Sequence, residues 1–179
     1  MRKLLTVLAF ALMLVPSFAQ NHTDYTLPDA PKRAKYIDFP SLDKGFWFAV
    51  QATPAFSTLD GPFTAQLDLI AGYRAGEFFK IGPGVSPKST SAGFVLPVYL
   101  DVRGNIISQE SRMAVPYWSL DAGYTFGAYK GLYVSPTVGV RVGMPRNNFI
   151  AGLTYMLQQI GPEGFVPSHG VGIRLGYEF

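Results

Sequence analysis

Nine ionisable side chains fall on one face of a two-residue alternation: Asp68, Arg74, Lys80, Asp101, Arg103, Asp121, Arg141, Arg174 and Glu178. Five are basic and four acidic, so they nearly cancel. Asp101 and Arg103 share a face of one segment, Asp121 lies on the next, and Arg141 and Arg174 follow beyond. Opposite charges gathered on one face can neutralise one another where water is scarce. The chemistry expected of the network Asp68, Lys80, Asp101, Arg103, Asp121, Arg141, Arg174 and Glu178 is a salt-bridged plug. The alternative is a narrow polar pore or a small-ligand cup.

Other chemistry finds little support. The chain has two histidines, His22 and His169, and no cysteine. Ser168 and His169 are adjacent but have no acid at a defined spacing, whereas a nucleophile needs a base and an orienting group. No catalytic residue is therefore expected, and a lipid-modifying membrane enzyme built on His169 is the less favoured alternative. Neither clustered histidines nor spaced carboxylates suggest a metal site. "GPGVSPKST" (Gly82 to Thr90) has the glycines and lysine of a phosphate loop but lacks its G-K-[ST] ending and following helix. No cofactor is expected. "NHT" at 21–23 fits a glycosylation pattern only on a eukaryotic secretory route.

These side chains must be held by the segments around them. The chain opens with Met1-Arg2-Lys3, then the apolar run "LLTVLAFALMLV", then Pro16-Ser17-Phe18-Ala19. This is the pattern of a secretory signal peptide over 1–19, its apolar run too short to cross a hydrocarbon core of ~30 Å. Without it the charge falls from 15 basic against 12 acidic groups to 13 against 12. A net of +1 removes the main support for nucleic-acid binding. Residues 20–43 are polar, hold three prolines, and read as an extended N-terminal tail.

From Lys44 onward alternation dominates. Eight segments carry it, at 45–53, 65–74, 78–86, 94–104, 114–126, 132–143, 148–158 and 170–179. Each has nine to thirteen residues, close to the ~9–11 of a tilted membrane-spanning strand. The predicted fold is all-β, an eight-stranded antiparallel up-and-down transmembrane β-barrel over 44–179.

The faces are inverted relative to a soluble barrel. Leu132, Val134, Pro136, Val138, Val140 and Val142 form one face of the sixth segment, against Tyr133, Ser135, Thr137, Gly139 and Arg141. Apolar residues outward and small or polar residues inward is the transmembrane β-barrel pattern. Gly-Tyr pairs at 72–73, 123–124 and 176–177 put tyrosines on the apolar face near strand ends, where an interfacial girdle belongs.

The last ten residues, "GVGIRLGYEF", alternate to the final Phe179, with Tyr177 two residues before it. This ending resembles the sorting signal of Gram-negative outer-membrane proteins. The segment 44–179 is similar to small eight-stranded barrels of the OmpA and OmpX type, and "VPYWSLDAGYTFG…GLYVSPTVGVRVG" looks most like those of Bacteroidetes. The resemblance implies an outer-membrane location, lipid as a partner, and contact of Tyr177 and Phe179 with the barrel-assembly machinery during biogenesis. Connections rich in Gly, Pro and Ser, such as "STLDGPF" and "IGPEGFVPSH", suit a structural or interaction role, with a surface partner engaging outer loops or the periplasmic tail.

Two expectations sit less easily with the fold. Pro97, Pro116 and Pro136 fall within strands that have no open edge, and bulges at the rims are expected to absorb them. With both termini periplasmic, connections 54–64, 87–93, 127–131 and 159–169 face outward, and 75–77, 105–113 and 144–147 face inward. The long connection at 105–113 then lies on the side where short turns are usual.

Overall fold

A computed structural model describes residues 43–58, 64–90, 93–110, 112–128, 130–160 and 166–179. The expected signal peptide, His22, the "NHT" tripeptide and all of the expected tail except Asp43 lie outside the described residues. No helix among the described residues is long and apolar enough to cross a membrane. Nine strands run in sequence order: β1 Gly45–Ser57, β2 Thr64–Gly76, β3 Phe79–Val85, β4 Lys88–Thr90, β5 Gly93–Asn105, β6 Ala114–Gly127, β7 Gly131–Gly143, β8 Asn148–Ile160 and β9 Val166–Glu178. β3 and β4 both pair with β5 and form one stave broken at Ser86-Pro87, so the barrel has eight staves.

Every pairing is antiparallel, and β9 returns to β1, which closes the sheet. Closure removes the edge that would otherwise carry unpaired N–H and C=O groups. The ladder also fixes the stagger. From Gly45 the partners run through Arg74, Lys80, Arg103, Ser119, Thr137, Thr154 and Gly172 to Ala55, ten residues further along β1. That shear tilts the strands, and eight staves enclose an interior of a width that side chains can fill.

The strands outrun the alternating segments. The expected loops at 54–64 and 159–169 shrink, because β1 runs on to Ser57, β8 to Ile160, and β9 begins at Val166. Antiparallel pairing continues past the point where the apolar pattern fades, since Thr53, Pro54 and Ala55 still have partners on β2.

The faces are as the alternation predicts. Phe46 is 83% exposed and Phe48 58%, while Asp68, Asp121 and Glu178 are fully buried. The outer wall carries aromatic groups towards both ends. At the end where β1 begins and β9 finishes, Phe46 meets Tyr73 edge-on at 5.8 Å, and Tyr177 lies 4.8 Å from both Phe149 and Phe179. At the other end Tyr124 and Phe126 pack at 5.1 Å. Phe46 and Phe56 are both exposed on β1. With ~3.3 Å per residue and a tilt of ~40°, their spacing corresponds to roughly 25 Å of apolar wall.

The proline bulges expected at the rims are not formed. Pro97, Pro116 and Pro136 sit in continuous register with Thr125, Val140 and Leu120, and the one register shift lies between Arg74 and Gly76. Two of the prolines avoid the cost by facing places where the neighbouring strand has stopped. Pro97 faces Ser86, at the break between β3 and β4, and accepts its N–H at 3.0 Å. Pro116 accepts the N–H of Ile106, just past the end of β5, at 2.9 Å. The Pro136 carbonyl takes a side-chain donor, the Thr154 hydroxyl, at 3.2 Å.

Candidate functional site

The register sets three cations side by side. Arg74, Lys80 and Arg103 are direct lateral partners on β2, β3 and β5, all pointing inward. Cationic neighbours on one face repel, and a single carboxylate answers all three. Glu178 Oε1 lies 2.6 Å from Lys80 Nζ and 3.1 Å from Arg74 Nη2, and its Oε2 lies 3.8 Å from Arg103 Nη1. Arg74 also donates to the carbonyl oxygen of Phe179 at 2.5 Å.

The same end is closed from above by chain rather than by strand. Asp43, just before β1, is buried 3.6 Å from Arg141 and 3.9 Å from Lys80. Arg141 donates to Asn105 Oδ1 and Gln109 Oε1, both at 3.0 Å. Gln109 belongs to the connection between β5 and β6, and it donates in turn to the Gly143 carbonyl at 2.6 Å. The Glu77 carboxylate holds that connection in place, accepting from the Gln109 backbone at 2.8 Å and the Ser108 hydroxyl at 3.2 Å. Burial pushes the Asp43 carboxyl above its ordinary value, against the pull of Lys80 and Arg141 in the other direction.

Mid-barrel, two carboxylates face each other: Asp101 on β5 is the direct partner of Asp121 on β6. Each has its own arginine. Arg103 grips Asp101 with two hydrogen bonds, at 2.6 and 2.8 Å, and Arg174 reaches Asp121 at 2.7 Å. The Arg103 guanidinium stacks 4.7 Å from the centre of the Trp47 ring. With its amide oxygen facing Arg103, Gln51 accepts from Nη1 at 2.7 Å. Arg174 also approaches Asp68, at 3.8 Å. Asp68 accepts from Gln66 at 2.7 Å, Thr53 at 3.0 Å and Tyr99 at 3.3 Å, and from the Ser86 hydroxyl. Charged hydrogen bonds of this kind strengthen where water is excluded.

Towards the far end the network becomes uncharged except for Lys88, which donates to Gln158 at 3.2 Å. Gln66 donates to the Tyr133 hydroxyl at 2.9 Å. A cavity of about 10 Å³ lies among Gln66, Lys88, Tyr133 and Gln158, and another of about 10 Å³ among Lys80, Arg103, Tyr117 and Glu178. Each has room for about one water.

All eight charged residues of the expected network are thus buried and inward, together with Arg74. Tyr177 and Phe179 close β9 beside β1, where the Phe179 N–H donates to Phe48 O at 2.8 Å. Several neutral partners were not anticipated: Trp47, Gln51, Gln66, Ser86 and Gln109. Trp47 and Gln51 share the parity of Thr53 within β1, and Gln66 shares that of Asp68, so alternation carried a signal for them. None pointed to Asp43 or Gln109, which lie outside the strands.

Ser168 and His169 do not form a reactive pair. They occupy opposite faces of β9, with Ser168 buried 3.4 Å from the Ser57 hydroxyl and His169 exposed. The His169 ring meets the Tyr155 hydroxyl, and its backbone N–H donates to Thr58 at 3.1 Å. Gly82 to Thr90 spans β3, the Ser86-Pro87 break and β4, a strand and not a loop before a helix.

No family model matches the chain. No curated protein matches it significantly. Solved structures do. The neisserial surface protein NspA superposes with a TM-score of 0.59 at 13% identity, over 74% of this chain and 95% of that one. The N-terminal β-barrel domain of Pseudomonas aeruginosa OprF gives 0.49 at 13%, over 76% and 99%. Ail, the attachment invasion locus protein of Yersinia pestis, gives 0.45 at 12%, over 76% and 99%. At 13% identity the likeness to NspA is one of fold, a closed eight-stranded antiparallel barrel of the outer-membrane kind.

Proposed function

We propose that the chain is an integral outer-membrane barrel whose lumen is plugged by its own ion pairs, and whose role is structural or interactive. The observation that carries this is the inverted burial: phenylalanines and valines are exposed around the wall while arginines, aspartates, Lys80 and Glu178 are buried inside. Water would expel such a wall, whereas a bilayer of ~30 Å hydrocarbon accepts it. Paired charges across the interior, with cavities the size of one water beside them, support the plug. On this reading the ends of the staves do the work, presenting connections to a surface partner on one side and a tail on the other. The chain reaches the membrane by an N-terminal signal, and Tyr177 with Phe179 is read by the assembly machinery.

Conductance of the purified full chain in planar bilayers tests the plug. Closed or flickering traces of very low conductance are expected. Stable single channels would replace the plug by the narrow-pore alternative.

A further inference from the structure

β9 closes the barrel, yet most of its residues say little about the register in which it should do so. Its outward row of Val171, Ile173, Leu175, Tyr177 and Phe179 stays apolar after a slide of two residues. Its inward row is Ser168, Gly170, Gly172, Arg174, Gly176 and Glu178. Glycine-rich strands are prone to slip. Nevertheless β9 keeps one register along β8, and one along β1 from Glu178 to Gly170.

Two of the inward glycines are slots where β1 leaves no room for a side chain. A Cβ on Gly172 would stand 2.8 Å from both Ala55 Cβ and the Pro54 carbonyl oxygen. One on Gly176 would stand 2.5 Å from Gln51 Cγ and 2.7 Å from the Val50 carbonyl oxygen. The two long side chains alternate with these slots like teeth. Arg174 meets Asp121 at 2.7 Å and Asp68 at 3.8 Å. Glu178 meets Lys80 at 2.6 Å and Arg74 at 3.1 Å. The first tooth therefore has an acidic place and the second a basic one.

We infer that Gly172, Arg174, Gly176 and Glu178 form a register key that fixes how β9 closes against β1. A slide of one residue turns both charges onto the apolar face. A slide of two brings Arg174 to the place of Gly176 or of Gly172, where a Cβ has no room. A slide of four in one direction brings Arg174 among Arg74 and Lys80. In the other it brings Glu178 beside Asp68 and Asp121. Like charges so placed destabilise a sheet. Of these registers only the observed one meets both the steric and the electrostatic condition. The key uses inward residues alone, so it stands apart from the reading of the wall as lipid-facing.

The test reads register by disulfide trapping in the full chain, which has no cysteine of its own. Ala52 and Leu175 are direct partners on the outer face, while Ile173 and Tyr177 lie diagonally from Ala52. Residues whose Cα atoms are more than ~7 Å apart cannot be bridged without backbone movement. Mild oxidation of the closed barrel, isolated at its unboiled gel mobility, is expected to join Ala52→Cys to Leu175→Cys. The yield should exceed that with Ile173→Cys or Tyr177→Cys several-fold. Moving the key by two residues, with Gly172→Arg, Arg174→Gly, Gly176→Glu and Glu178→Gly, is expected to transfer the preference to Ile173→Cys. Arg174→Gly alone removes one tooth and is expected to raise the Ile173→Cys share several-fold. Retention of the Leu175→Cys preference after the key is moved would overturn the inference. Equal trapping of all three pairs with the key intact would overturn it too. So would failure of both variants to close, because a lost key leaves a slipped barrel and not an open one.

Discussion

Asp101 and Asp121 stand directly opposite each other on β5 and β6, both fully buried. Like charges in that position destabilise a sheet, and here each is tolerated through a separate arginine, Arg103 at 2.6 Å and Arg174 at 2.7 Å. Removing Arg174 leaves Asp121 and Asp68 uncompensated. Arg174→Ala is expected to destabilise the barrel by about 3–5 kcal/mol, the usual cost of breaking a buried pair from one side. Asp121→Asn in the same background should recover part of that loss. Urea unfolding of the vesicle-bound protein, followed by its unboiled gel mobility, checks both.

Glu178 and Asp43 differ although both face cations at this end, Lys80 in common. Glu178 is within 3.1 Å of two of them, so Glu178→Gln should cost about 3–5 kcal/mol. Asp43 is more distant, at 3.6 and 3.9 Å, and burial raises its carboxyl value. Asp43→Asn should therefore be close to neutral at acidic pH and mildly stabilising above it. A raised folded value makes the contribution of Asp43 fall as pH climbs above the ordinary 3.8. The stability of wild type relative to Asp43→Asn should accordingly decline across that range, and unfolding midpoints at several pH values measure it.

Glycines differ by what lies behind them. A Cβ on Gly123 would stand 2.1 Å from the Val98 carbonyl oxygen and 2.4 Å from Tyr99 Cα, contacts the backbone cannot relieve cheaply. A Cβ on Gly76 would meet nothing within 4 Å. Gly123→Ala should reduce the folded fraction sharply and Gly76→Ala should leave it unchanged, as read by the boiled and unboiled forms on a gel.

Val138 is 60% exposed on β7, well inside the apolar band. In lipid, Val138→Arg should cost about 2–4 kcal/mol, as charges on a lipid face do near mid-depth. On a soluble barrel the same change would lie within the small range of ordinary surface substitutions. Unfolding in vesicles gives the number.

Strand number, face assignment and the charged interior were all legible, because a two-residue period has only one way to place Asp101, Asp121, Arg141 and Arg174 together. What alternation could not supply was anything set by register or by chain outside the strands. The lateral row of Arg74, Lys80 and Arg103 arises from the shear of ten, which no single segment records. Asp43 and Gln109 enter the lumen from connections, where no period exists. The prolines are illegible for a related reason: whether a missing N–H matters depends on the neighbouring strand, and Pro97 and Pro116 face places where that strand has stopped.

The most direct test of the central claim is heat-modifiability in purified outer membranes. The account predicts that the unboiled protein migrates differently from the boiled form and resists protease, as a closed barrel held in lipid does. Unchanged mobility, with the protein recovered in the soluble periplasmic fraction, would contradict it.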